Sequence, residues 1–159
     1  AIAVRKMLTG DRETVMEIAS SCFAYSRFHL DPWIPDSVAN AVKRTWVDSY
    51  FQGERGDRLL VAEYGGRLVG FLAVLCRACQ VGREFVIDLV GVDKSFQGHG
   101  VGRTLVERFV NDSAGQATSL KVGTQSANIP SLRLYEKCGF RVEETAFVLH
   151  AHFRDERVQ

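Results

Sequence analysis

Three glycines at alternate positions, Gly98, Gly100 and Gly102, lie within the run Gln97-Gly98-His99-Gly100-Val101-Gly102. Glycine lets backbone N–H groups approach an anion with no Cβ in the way. The run follows the apolar stretch Val90-Gly91-Val92 and opens a segment with helical spacing, so it reads as a turn from strand to helix. The unpaired N–H groups and the dipole of a helix start favour negative charge. A phosphate or pyrophosphate is the expected guest. Two other phosphate loops are excluded by reading. No Lys-Ser/Thr pair follows the glycines, and the glycine spacing, with Arg103 next, differs from the dinucleotide fingerprint Gly-x-G-x-x-G.

Other residues suited to chemistry are the acids of a neighbouring apolar segment. Asp88 and Glu84 share a face by strand parity and are candidate general bases for activating an amine. Each has a structural alternative: Asp88 in an ion pair, Glu84 at a solvated strand end. A water chain with no single base is a third possibility for the proton. His99, inside the loop, could add charge to what the backbone binds. His150 and His152 alternate on one face with no further ligand nearby, and Cys76-Arg77-Ala78-Cys79 lacks two more ligands at matching spacing, so no metal site is expected. Cys22, Cys76, Cys79 and Cys138 are read as reduced thiols of a cytoplasmic protein.

Periodicity supplies the elements that position these residues. The run from Ile2 to Leu8 is β-like. Val15, Ile18, Ala19, Cys22 and Phe23 recur at helical spacing. After the rigid link from Asp31 to Asp36, Ser37 can cap a second helix whose apolar face is Val38, Ala41, Val42, Thr45, Trp46 and Tyr50. Strands are predicted from Arg58 to Tyr64, Leu68 to Cys79 and Glu84 to Val92, a helix from Gly100 to Ala114, a strand from Thr118 to Gly123, and a helix from Pro130 to Cys138. Phe140 to Val142 and Ala146 to Phe153 are the last predicted strand segments. The order β-α-α-β-β-β-α-β-α-β predicts an α/β fold with a mixed, mostly antiparallel sheet and helices on both faces.

Length and charge narrow the function further. The chain has 159 residues, enough for one domain spanning residues 1–159. Twenty basic residues against nineteen acidic ones leave a net charge of +1, which argues against a nucleic-acid binder. The longest apolar runs fall well short of the ~20 residues of a membrane-spanning helix. No signal peptide is read, and the start at Ala1 leaves room for sequence ahead of it.

Gln97 to Gly102 resembles the Gln/Arg-x-x-Gly-x-Gly/Ala signature of the GNAT acetyltransferase superfamily. The segment from Asn128 to Phe140 is similar to that family's Asn-x-x-Ala/Ser-x-x-Leu/Phe-Tyr-x-Lys-x-Gly-Phe segment. Lys94 stands where the family often has proline. The resemblance implies acetyl-coenzyme A as co-substrate. Val90 and Val92 would pair with the pantetheine amides, and the backbone of Gln97, Gly98, His99, Gly100, Val101 and Gly102 would hold the pyrophosphate. Asn128 would contact the cofactor or steady its neighbouring strand, and Tyr135 would direct its hydroxyl at the thioester sulfur as a general acid.

Resemblance also bears on the acceptor, a small-molecule amine. The passages from Ser26 to Pro32, Val122 to Pro130 and Val142 to His150 look like the branch acetylating nucleotide-linked amino sugars. Arg27, His29 and Asp31 would grip sugar hydroxyls or phosphates, or else form a solvated loop. The alternatives are a protein, peptide or small-amine acetyltransferase, and a non-catalytic acyl-coenzyme A-binding module. Phe147 and Phe153 on the final strand could pair across a homodimer or finish the sheet.

Overall fold

The computed structural model describes residues 1–149 and 151. The elements run β1 (Ile2–Lys6), α1 (Arg12–Ala19), α2 (Asp36–Phe51), β2 (Arg58–Tyr64), β3 (Arg67–Cys79), β4 (Gly82–Val92), α3 (Val101–Ser113), β5 (Ser119–Val122) and α4 (Ile129–Lys137). The sheet order is β1-β2-β3-β4-β5. The first four strands form an antiparallel meander, and β5 joins β4 in parallel. Gly65 and Gly66, both at positive φ, make the tight β2–β3 turn.

Side chains alternate across β2 and β3 and feed two cores. Leu60, Ala62, Leu72, Val74, Phe85 and Ile87 pack with Val101, Leu105, Val106 and Phe109 of α3 on one face. Leu59, Val61, Phe71, Ala73 and Leu89 pack with α1 and α2 on the other. Helices therefore cover both faces, as the element order predicts. Among the described residues no helix is long and apolar enough to cross a membrane.

Three local expectations are corrected. First, α2 is rotated. Its buried positions are Ala39, Lys43, Val47 and Tyr50, whereas Val38 is half exposed and Ala41 and Thr45 face solvent. Pro35, not Ser37, holds the cap position, with no side-chain cap bond. Second, β4 carries an extra residue. Ala73 pairs with Leu89 and Val74 with Ile87, so Asp88 is a bulge and the alternation shifts from Leu89 onward, where Phe85 and Ile87 face α3 but Leu89 faces α1 and α2. Third, Phe140 to Val142 forms no strand; the Phe140 N–H instead bonds the Tyr135 carbonyl at 3.0 Å, closing α4. Residues 146–149 also lack strand structure, with Phe147 95% exposed. His150, His152 and Phe153 lie outside the described residues.

Gly91 is required where β4 meets the N-terminal half. A Cβ there would lie 2.5 Å from Phe71 Cε1 and 2.8 Å from Cys22 Sγ. Gly91→Ala is expected to cost about 1–3 kcal/mol through overpacking. A lowered urea midpoint at unchanged m-value checks this.

Candidate active site

The site is built where two parallel strands part. β4 and β5 pair only from Glu84↔Ser119 to Ile87↔Val122. Beyond that, β4 continues to Val92 while β5 ends, so among the described residues one edge of β4 from Asp88 to Val92 has no strand beside it. A cavity of about 680 Å³ opens there. Val90, Val92, Gln97, Gly98, Gly100, Val101 and Gly102 line it from one side, and Asn128 and Tyr135 from the α4 side.

The glycine turn has the geometry of an anion cradle. Gly98 and Gly100 adopt φ of +79° and +85°, a left-handed conformation that glycine takes at no steric cost. The first backbone bond of α3 runs from the Thr104 N–H to the Gly100 carbonyl, 3.0 Å. The N–H groups of Val101, Gly102 and Arg103 thus meet no carbonyl among the described residues. They and the positive end of the helix face the cavity mouth. Gly102 differs: a Cβ there would make only ordinary contacts, with Leu134 at 3.4 Å and Val92 at 3.8 Å. Gln97 donates through Nε2 to the Val92 carbonyl (3.2 Å), tying the loop to β4. His99 is exposed and bonds the Gln97 carbonyl through Nδ1 (2.9 Å); it is not among the cavity-lining residues.

Asn128 caps α4, its Oδ1 accepting from the Ser131 N–H at 3.2 Å. Tyr135, on the one buried turn of α4, is 7% exposed and stacks edge-on to Phe140 at 6.0 Å between centroids. Its hydroxyl has no hydrogen-bond partner among the described residues. Burial, with a smaller contribution from Cys138, pushes its pKa up to about 12, so it stays protonated at any physiological pH.

Asp88 lines the same cavity but is fully engaged. Arg55 holds it with two bonds, Nε to Oδ2 (2.8 Å) and Nη2 to Oδ1 (2.9 Å). Tyr50 OH (2.7 Å) and Trp46 Nε1 (2.9 Å) donate to Oδ2 as well. Burial alone would raise the carboxyl's pKa; the bonds from Arg55, Tyr50 and Trp46 outweigh it and hold the group below the usual carboxylate range. Such a carboxylate is a poor proton acceptor, so the geometry favours the structural pair over the general base. Glu84 is also engaged, by Ser119 Oγ (3.2 Å) and Lys121 Nζ (3.4 Å), and does not line the cavity.

The three residues expected on the acceptor side take other places. Arg27 is exposed and stacks on Phe28 at 5.0 Å. His29 bridges Ser26 Oγ (2.6 Å) and Asn40 Oδ1 (2.8 Å). Asp31 is buried and accepts the Trp33 N–H at 2.9 Å, an Asx turn. None of the three lines the cavity, whereas Tyr25 and Ser26 beside them do. Bonds to Ser26, Asn40 and the Trp33 N–H engage the polar groups of His29 and Asp31, while the Arg27 guanidinium is exposed outside the cavity.

Several lining residues carried no sequence signal of their own. Arg103, Arg133 and Lys137 bring positive charge to the cavity rim. Arg103 follows the first motif directly, and Arg133 and Lys137 lie within the second, so the motifs themselves could have indicated them. Lys43, from the middle of α2, gave no signal at all. Among the described residues no three His, Cys, Asp or Glu side chains converge as a metal site, and all four cysteines are free thiols.

Residues 12–140 match the model of the Acetyltransferase (GNAT) family. The chain is 30% identical over 142 residues to the spore coat polysaccharide biosynthesis protein SpsD of Bacillus subtilis, covering 89% of this chain and 47% of that protein. It is 25% identical to the dTDP-fucosamine acetyltransferase of Escherichia coli O6:H1, over 88% of this chain and 59% of that protein. It is equally 25% identical to the N-alpha-acetyltransferase RimI of Mycobacterium tuberculosis, over 88% and 78%. The chain therefore spans about half the length of the polysaccharide and amino-sugar relatives it matches. Its fold is shared with a crystal structure of ribosomal-protein-alanine N-acetyltransferase from Brucella melitensis: TM-score 0.70, 17% identity, 96% of this chain and 100% of that one.

Proposed function

The chain belongs to the acetyltransferase (GNAT) family, and from that premise we propose that it transfers the acetyl group of acetyl-coenzyme A to a primary amine on an amino sugar or nucleotide-linked amino sugar. The observation that carries this reading is one cavity lined by both the glycine cradle and Tyr135. The cradle suits the pyrophosphate, the open edge of β4 at Val90 and Val92 suits the pantetheine amides, and Tyr135 lies where the thioester would end. Two relatives, one of polysaccharide biosynthesis and one named for dTDP-fucosamine, support the amino-sugar acceptor.

In this reading the amine nitrogen, in its neutral form, attacks the thioester carbonyl carbon. The C–N bond forms, the C–S bond breaks, and the electron pair leaves on sulfur. The Tyr135 hydroxyl donates a hydrogen bond to that sulfur. With Asp88 and Glu84 both engaged, the amine's proton passes to water. The four free cysteines fit a reducing cytoplasm, and one catalytic domain over residues 1–159 suffices for these parts.

Release of free thiol from acetyl-coenzyme A, measured with nucleotide-linked amino sugars, peptides and polyamines, tests the proposal. Amino-sugar-dependent release is expected. Release with peptide N-termini alone would favour the RimI-like alternative. Coenzyme A binding with no transfer to any amine would leave a binding module. The cradle has its own test. Gly100→Val forces a branched side chain into left-handed backbone, at a cost of about 1–2 kcal/mol, and sets carbon against the anion path. Coenzyme A affinity, measured by calorimetry, is expected to fall about tenfold or more.

A further inference from the structure

Lys43 lies near the middle of α2, on the sheet face opposite α3. Its side chain is buried, 7% exposed, yet lines the cavity. Among the described residues its ammonium has no ion pair and no hydrogen-bond acceptor. The acid closest in effect, Asp88, is already committed to Arg55, Tyr50 and Trp46. Aromatic rings hold the charge instead: the Lys43 Nζ sits 4.4 Å from the Trp46 centroid, 5.1 Å from Phe23 and 6.0 Å from Phe28. Ring faces attract a cation, but they do not satisfy its three N–H donors as oxygens would. Trp46 is itself fixed, by its bond to Asp88 and by Arg55 stacked at 4.9 Å. The ammonium is therefore pre-positioned at the cavity wall with donors to spare.

Burying an unpaired charge is costly, and burial does lower the Lys43 pKa. Arg27 adds a second positive charge in the vicinity. Such a corner favours an anion. Coenzyme A's pyrophosphate belongs at the α3 turn, on the other face, so this anion comes from the second substrate. We infer that Lys43 binds an anionic oxygen group, a phosphate or a carboxylate, carried by the acceptor molecule; the inference rests on the acetyl-transfer reading and specifies its acceptor.

The test uses the full chain saturated with coenzyme A, so that the glycine cradle is filled. Calorimetric titrations compare glucosamine with glucosamine 6-phosphate, UDP-glucosamine and 2-amino-2-deoxygluconate. At least one anionic sugar is expected to bind about tenfold tighter than glucosamine, the scale of a hydrogen bond to a charged group. The phosphate and carboxylate arms show which anion is taken. Lys43→Met and Lys43→Gln remove the charge and should abolish the preference, while Lys43→Arg retains it. Both neutral variants relieve a buried charge, and their melting curves verify folding. Equal binding of neutral and anionic sugars by the unaltered chain, or a preference that survives in the folded neutral variants, overturns the inference. Turnover with acetyl-coenzyme A in the same samples separates the two readings. A Lys43-dependent preference without acetylation removes the transferase reading and keeps the anion site. Acetylation without the preference does the reverse.

Discussion

Tyr135→Phe is expected to lower kcat by about 10²-fold, the loss that follows removal of one aligned donor at a developing negative charge. Coenzyme A affinity should be unchanged, because the cradle at Gly98 and Gly100 is remote from the phenol in sequence and belongs to a different helix. Stability should also hardly change, since the hydroxyl has no protein partner among the described residues and the ring's contact with Phe140 is retained. The physical role is narrower than that of a proton donor in the full sense. Burial pushes the Tyr135 pKa up to about 12, whereas an ordinary thiol titrates near 8.5. Complete transfer from the phenol to the departing thiolate is therefore uphill. A hydrogen bond that strengthens as charge gathers on sulfur is not. The sign for stability follows: a pKa raised above the unfolded value near 10 contributes fully below pH 10 and is lost as pH rises toward 12. Between pH 7 and 9 the kcat profile should thus have the same shape in the variant as in the unaltered protein, displaced downward. A variant with unchanged kcat would remove Tyr135 from the chemistry.

Asp88→Asn is expected to act mainly on the fold. The carboxylate side chain is 7% exposed and receives four hydrogen bonds. The amide can accept some of them, but it places an NH₂ against donors and leaves Arg55 without its counter-charge. Removing one partner of a buried pair costs about 3–5 kcal/mol. Because the Arg55 side chain is 37% exposed, water recovers part of this, and about 2–3 kcal/mol is the discounted figure. For a chain of this size that is a drop of about 5–10 °C in Tm. The pH dependence separates this role from that of a base. Asp88 titrates below the ordinary carboxylate value, so its contribution is present above about pH 4 and lost as pH falls further. The kcat/KM profile of the variant between pH 6 and 9 should keep every limb of the unaltered protein. Loss of a limb there, at an intact Tm, would restore Asp88 as the base.

What could be read without coordinates was mostly contiguous. Val90 to Gly102 declares a strand end, a turn and a helix start within thirteen residues, so its local chemistry and its position in the fold agree. Asn128 caps a nine-residue helix that carries Tyr135, and the two need only that helix to reach the same cavity. Asp88 was recognised as unusual, an acid in an apolar strand, but its role depended on a bulge and on three donors at least 33 residues away. Arg27, His29 and Asp31 looked available because their partners, Phe28, Ser26, Asn40 and Trp33, carry no pattern that marks them as such.

By itself the sequence determined the glycine turn, the element order from β1 to α4 and the mixed sheet, because backbone preference and hydrophobic period act over a few residues at a time. Only the tertiary structure decided which face of α2 turns inward. Two faces compete on that helix and share Tyr50: the expected one of Val38, Ala41, Val42, Thr45, Trp46 and Tyr50, and another of Ala39, Lys43, Val47 and Tyr50. The first is the more apolar, and periodicity alone selects it. The second is the one buried, because Tyr50 and Trp46 reach Asp88 and Val47 packs with α1 and the sheet. That rotation places Lys43, which lies outside the expected apolar face, on the wall of the site.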